Sequence, residues 1–356
     1  MVSNCIRIMK TRMGTTFLVS LVSIIVSSSV GCSSSDDGGQ PQTEPPVIEQ
    51  KLYKNPIIAT SLPDPTVIKA ADGRYYLYAT EDIRNLPIYY SDDLINWSYV
   101  GTAFNDQTRP KWNPDGGIWA PDINYFGGKY VLYYSKSVWG GEWTCGLGVA
   151  TADSPTGPFT DHGALFTSQE INVQNSIDPF FIEDEGRKYI FWGSFHGIYG
   201  IELTADGLSV VPEAKPTQIA GNQMEATYIH KHGGYYYLFG SNGTCCEGAQ
   251  STYQVIYGRS ENLFGPYLTK DGKRMLDGSY DILIHGNNTV AGPGHNAEFV
   301  TDDKGQDWII YHGFLKADPD AGRQVFMDKV EWYDGWPQVA GNAPSVESKY
   351  PTLNRQ

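Results

Sequence analysis

GRYYLYAT, residues 73–80, is the first of five copies of one pattern: a glycine followed by an aromatic and β-branched run. The others are GKYVLYYS from Gly128, GRKYIFWGS from Gly186, GYYYLFGS from Gly234 and GQDWIIYHG from Gly305. A second apolar run precedes each copy: DPTVIKA from Asp64, APDINYF from Ala120, DPFFIED from Asp178, EATYIHK from Glu225 and HNAEFVT from His295. Each pair reads as two strands joined by a tight turn, apolar at nearly every position and therefore buried on both faces. Weaker echoes follow four of the hairpins: YYSDDLINW from Tyr89, GVATADSPTGPF from Gly148, GIELTADGLSV from Gly200 and IYGRSENLFGPY from Ile256. That brings each unit to about four strands. Five such units predict an all-β chain, a five-bladed β-propeller over residues 48–356. A β-sandwich, the next-best fold, does not account for five hairpins in register.

Composition agrees. Of 356 residues, 13% are aromatic and 19% charged, and the 39 Gly and 21 Pro are scattered rather than periodic. That excludes collagen, coiled coil and wholesale disorder. The net charge is −14, with no basic run beyond the N-terminus, which speaks against nucleic acid or an anionic membrane as a partner. Tyr and Trp among carboxylates suit a neutral, hydroxyl-rich ligand such as a sugar.

Residues 1–31 carry Arg7, Lys10 and Arg12, no acid, and then an apolar run from Phe17 to Val30 diluted by serines. This is the pattern of an export signal, too short and too Ser-rich for a good membrane span. Ser29-Val30-Gly31-Cys32 resembles a bacterial lipobox, with Ser29 where Leu is usual and Cys32 as the lipid-bearing residue. Residues 32–47 read as a flexible tether of Ser, Gly, Pro, Gln and Asp. The expectation is an exported lipoprotein held to the outer membrane and facing outward. Cys145, Cys245 and Cys246 then remain. Three is odd and two are adjacent, so no disulfide framework is read. The absence of CxxC speaks against a metal site.

The repeat also aligns chemistry. Asp64, Asp178 and Glu225 stand 9, 8 and 9 residues before their turn glycines, His295 stands 10 before, and Trp119 to Asp122 stand 9 to 6 before. In a propeller the first strand of each blade lines the central channel, so these side chains meet at one mouth. Gathering carboxylates there costs repulsion and desolvation, which chains rarely tolerate without a use.

Several segments together resemble glycoside hydrolase family 43, in its arabinan-degrading branch. They are Asp64-Pro65, IWAPDI from Ile118, NSIDP from Asn175, EATYI from Glu225, GPGH ending at His295, and CCEGAQSTY from Cys245 with Gly258-Arg259-Ser260. The likeness covers about residues 50–340. It implies hydrolysis with inversion, with Asp64 as general base, Glu225 as general acid, and Asp178 orienting the acid and raising its pKa. Inversion needs one carboxylate to activate water and one carboxylic acid to protonate the leaving oxygen. A further carboxylate beside the acid keeps it protonated.

Trp119 reads as a sugar-stacking platform, and Asn175 and Ser194 as hydrogen-bonding partners of substrate hydroxyls. His295 resembles the family histidine that holds a water-coordinated ion, often calcium, in the channel. Arg323 stays outside the catalytic set, and His162, His230, His232 and His285 are assigned to turns. The leading expectation is an endo-acting α-1,5-L-arabinanase on arabinan or its oligosaccharides. An exo-acting α-L-arabinofuranosidase or β-xylosidase of the same fold comes next. A non-catalytic glycan-binding propeller is the rival from another class, and the three carboxylates speak against it.

Overall fold

Five antiparallel sheets, four of them of four strands and the last of five, follow one another along the chain in the computed structural model, which describes residues 51–354. The signal and tether assigned to 1–31 and 32–47 lie outside the described residues. Blade 1 comprises Thr66–Lys69, Tyr75–Tyr78, Pro87–Ser91 and Trp97–Thr102. Blade 2 comprises Gly117–Phe126, Lys129–Ser137, Gly146–Ala152 and Thr160–Thr167. Blade 3 holds Phe180–Asp184, Arg187–Trp192, Ile198–Leu203 and Thr217–Ala220. Blade 4 holds Glu225–His232, Tyr235–Asn242, Gln254–Ser260 and Asp281–Ile284. In blade 5 the inner strand is split into Val290–Gly294 and Val300–Thr301, both paired with Asp307–Leu315, and Gln324–Tyr333 and Trp336–Gln338 complete it. The fold is the five-bladed β-propeller that the hairpins predict.

The five hairpin turns share one conformation. Gly73, Gly128, Gly186, Gly234 and Gly305 have φ between 76° and 84°, and nothing lies within 4 Å of a Cβ built on any of them. The left-handed backbone, not lack of space, selects glycine there. Packing explains why the strands are apolar on both sides. Four buried clusters fill the wedges between neighbouring blades, among them Ile88 with Leu132, Leu77 with Ile310, and Val149 with Trp192. Each buried aliphatic or aromatic side chain contributes about 1.5–3 kcal/mol by leaving water.

Inner strands are stitched blade to blade. Thr66 Oγ1 in blade 1 donates to the Glu298 carboxylate of blade 5 at 3.1 Å and accepts from Ile123 N of blade 2 at 3.2 Å. Asp122 of blade 2 accepts from Phe181 N of blade 3 at 2.7 Å, and Tyr228 OH of blade 4 accepts from Phe299 N of blade 5 at 2.9 Å. The chain ends are tied as well. Leu52–Lys54 pairs antiparallel with Glu347–Lys349, and Asn55 exchanges hydrogen bonds with the backbone of Met327.

Three sequence expectations need correction. In blades 3 and 4 the outer strand lies beyond the echo, at Thr217–Ala220 and Asp281–Ile284, because turns and short bridges intervene. His162, His230 and His232 are in strands rather than turns. Cys245 and Cys246 are joined to each other in a disulfide, the one pairing that a count of separated cysteines overlooks.

Candidate active site

The inner strand of every blade is entered through one residue in the left-handed region: Asp64 (φ 55°), Ala120 (41°), Asp178 (61°), Ala226 (61°) and His295 (45°). Non-glycine residues persist there only where surrounding bonds enforce it. In four blades those bonds come from a polar residue at or next to the end of the preceding blade's hairpin run. Ala120 N donates to Thr80 Oγ1 at 2.7 Å, and Asp178 N to Ser135 Oγ at 2.8 Å. His295 N donates to Ser241 Oγ at 2.8 Å, and Asp64 N to His312 Nδ1 at 3.0 Å. Thr80, Ser135, Ser194 and Ser241 close four of the repeated runs, and His312 stands one residue from the end of the fifth. That regularity was visible in the sequence, and it was missed.

One blade breaks the pattern. Ala226 N donates to Asp178 Oδ2 at 3.2 Å, and the fifth cap, Ser194, donates instead to Glu225 Oε2 at 2.5 Å. Glu225 therefore stands one residue before the left-handed position, in the place Trp119 has in blade 2, rather than in the slot of Asp64 and Asp178. The same register shift follows Glu225 in blade 4 and Trp119 in blade 2, which makes these two residues equivalent.

A cleft of about 610 Å³ opens at this end and is lined by all seven residues singled out from the sequence: Asp64, Trp119, Asn175, Asp178, Ser194, Glu225 and His295. Two of them turn toward their neighbours. Asn175 Nδ2 donates to Ser194 Oγ at 2.9 Å, and the Ser194 hydroxyl proton is committed to Glu225. Trp119 is half-buried, with its ring nitrogen so close over Gly117 that a Cβ there would lie 2.4 Å from it.

Sequence reasoning left Arg323 outside the catalytic set and passed over Thr80, Tyr253 and His312. Arg323 Nη1 lies 3.2 Å from Asp64 Oδ1, as does His295 Nδ1, and Thr80 Oγ1 donates to Asp64 Oδ2 at 2.6 Å. Tyr253 OH donates to Glu225 Oε1 at 2.6 Å, and its buried ring stacks on His312. Gly294 makes room for that ring, since a Cβ there would come within 2.2 Å of it.

The carboxyls are driven in opposite directions. Burial alone would raise Asp64, but the charges of Arg323 and His295, with the hydrogen bond from His295, hold it well below the usual carboxylate range. Asp178 is pushed up to about 8, first by burial and then by the charges of Glu225 and Asp64, against the opposing pull of His295. Burial raises Glu225 too, opposed by the hydrogen bonds from Ser194 and Tyr253. The Asp178–Glu225 pair thus holds a proton near neutrality while Asp64 stays ionised. Burial would lower the His295 pKa, but the Asp64 carboxylate outweighs it and the pKa is raised. Burial pushes His312 down to about 4, so its Nδ1 is free to accept.

A family model, glycosyl hydrolases family 43, matches residues 53–337. The chain belongs to this family. Among family 43 relatives, the extracellular endo-α-(1→5)-L-arabinanase of Bacillus subtilis is 36% identical over 292 residues, covering 78% of this chain and 87% of that protein. The extracellular exo-α-(1→5)-L-arabinofuranosidase of Cellvibrio japonicus is 34% identical over 307 residues, covering 78% and 85%. A solved Cellvibrio cellulosa α-L-arabinanase in complex with arabinohexaose superposes with a TM-score of 0.72 at 32% identity, over 79% of this chain and 95% of that one. This family 43 chain is a glycoside hydrolase, with its ionised and protonated carboxyls gathered at the mouth of the propeller.

Proposed function

We propose that the protein hydrolyses α-1,5-L-arabinan by endo action with inversion, as an outward-facing lipoprotein. The observation that carries the chemistry is the opposite driving of the carboxyls: Asp64 kept ionised by Arg323 and His295, and a proton kept on the Asp178–Glu225 pair by burial. In this reading Asp64 takes a proton from the attacking water, and Glu225 gives one to the departing sugar oxygen. Ser194 and Tyr253, each bonded to one Glu225 oxygen, aim the acid. Asp178 fixes the backbone beside it through Ala226 N. The half-buried Trp119 offers its face to a pentose ring.

Endo action is supported by the cleft's two exposed edges. Trp139, 82% exposed, stands at the blade 2 side, and Cys246 and Glu247 stand at the blade 4 side. In this reading a chain laid between them extends past the carboxyls in both directions. Digestion of linear arabinan tests this: mixed oligosaccharides at early times are expected, whereas a single short product from the first minutes means exo action.

Anchoring rests on the lipobox-like Ser29–Cys32. The full-length protein is expected in the membrane fraction, and Cys32→Ala is expected to release it with activity intact. A wild type that stays soluble without detergent contradicts the anchor.

A water-coordinated calcium ion beside His295 is also part of this proposal, and the donors present fit it. Thr227 Oγ1, on the inner strand of blade 4, and Asn296 Oδ1, next to His295 in the break of the blade 5 inner strand, are buried oxygens without a hydrogen bond among the described residues, and hard cations take oxygen ligands. When bound, the ion would supply positive charge near the carboxylates. Elemental analysis of purified protein is expected to find about one ion per chain, lost in His295→Ala. Equal content in both, or none in the wild type, counts against it.

A further inference from the structure

Cys245 and Cys246, joined in a vicinal disulfide, both line the catalytic cleft. A bond between neighbours closes the shortest loop available, so it removes almost no freedom from the unfolded chain and links no distant elements. Little stability comes from it, yet it stands where substrate passes. Cys246 is exposed and Cys245 half-buried, and both residues face the cleft.

We propose that the Cys245–Cys246 disulfide is the apolar floor of a sugar-binding subsite on the leaving-group side of Glu225, and that reducing it weakens that subsite. The proposal rests on the reading of the protein as an arabinanase.

Placement comes first. The general acid touches the leaving-group oxygen, so the surface on its flank receives the departing sugar. The disulfide is on that flank by construction of the loop. Thr244, next to Cys245, accepts from Tyr253 N at 3.0 Å and Thr252 N at 3.1 Å, and Tyr253 in turn bonds Glu225. Thr244 N also donates to Thr252 Oγ1 at 3.0 Å, and Glu247 N to Ser251 Oγ at 2.8 Å, which fastens the chain on both sides of the cysteines.

Chemistry comes second. A disulfide offers methylenes and polarisable sulfur with no strong hydrogen-bond donor, a surface matched to the C–H face of a pentose. Two thiols in its place are separately mobile and hydrated, so the flat floor is lost. Persistence of the bond suits an oxidising surrounding, and the relatives named above are extracellular.

The test measures hydrolysis of arabino-oligosaccharides of increasing length before and after dithiothreitol. That dithiol reduces the bond to two thiols and is itself oxidised to its cyclic disulfide. Iodoacetamide then adds two carboxamidomethyl groups, and the buried Cys145 thiol serves as internal control. Reduction is expected to raise KM for the longer substrates about tenfold, the scale of one lost apolar contact, while kcat changes much less. The double variant Cys245→Ala/Cys246→Ala is expected to start at the raised KM and ignore dithiothreitol. If that variant does not fold, reduced wild type with an unchanged near-ultraviolet circular dichroism spectrum decides alone. An unchanged KM after two thiols have formed overturns the proposal, as do free thiols at Cys245 and Cys246 in the active enzyme before reduction. An enzyme inactive on arabinan in both redox states overturns the functional reading, and this subsite with it. An active enzyme indifferent to reduction overturns the subsite alone.

Discussion

Glu225→Ala is expected to lose about 10²–10⁴-fold in kcat on arabinan, the usual worth of a positioned acid, and far less on an aryl arabinoside. The difference follows from the leaving group. A sugar alkoxide departs badly without a proton, whereas an activated phenolate needs little help. Equal losses on both substrates would contradict the acid role. The pH profile carries the same assignment. Working activity requires the proton held by the Asp178–Glu225 pair, so the rate falls as pH rises through about 8, the value to which burial and neighbouring charge push Asp178. Asp178→Asn removes a negative charge beside Glu225, lowers the acid's pKa, and is expected to move that alkaline limb to lower pH.

Asp64→Ala is expected to be crippled on both substrates, again by about 10²–10⁴-fold, because water must be activated whichever group departs. The structure gives this carboxylate an unusual amount of support: Arg323, His295, Thr80 and His312 all lie against it. Since its folded pKa lies well below that of an ordinary carboxylate, its base form persists into acid, and stability linked to it is lost only as pH falls through that depressed value. An Asp64→Ala variant spared on the activated substrate, beside a Glu225→Ala variant damaged on both, means the two roles are exchanged.

The propeller was legible because its period is carried by residues with no alternative. A left-handed turn selects glycine five times, and sheets packed on both faces select apolar runs. The outer strands of blades 3 and 4 were not legible, since exposed edges with interposed bridges carry no comparable pattern. The cleft residues could be read from register, but their offsets could not. Counting back from the turn glycines cannot see that the first hairpin closes at Lys69–Tyr75 in blade 1 but more tightly, at His232–Tyr235, in blade 4, which puts Ala226 rather than Glu225 in the slot of Asp64. Arg323, His312 and Tyr253 come from other strands and loops, and only folding brings them to Asp64 and Glu225. The caps Thr80, Ser135, Ser241 and His312 were legible in principle, as the polar residue that follows the apolar stretch of each run.

The central claim is that Asp64 delivers water to the face opposite the bond that Glu225 helps to break. Proton NMR during the first moments of hydrolysis of linear arabinan, before the product mutarotates, reads this directly. The α-linked substrate should release a new reducing end in the β configuration. A first-formed α-anomer means retention through a covalent intermediate, and contradicts Asp64 as the base and Glu225 as the acid of an inverting enzyme.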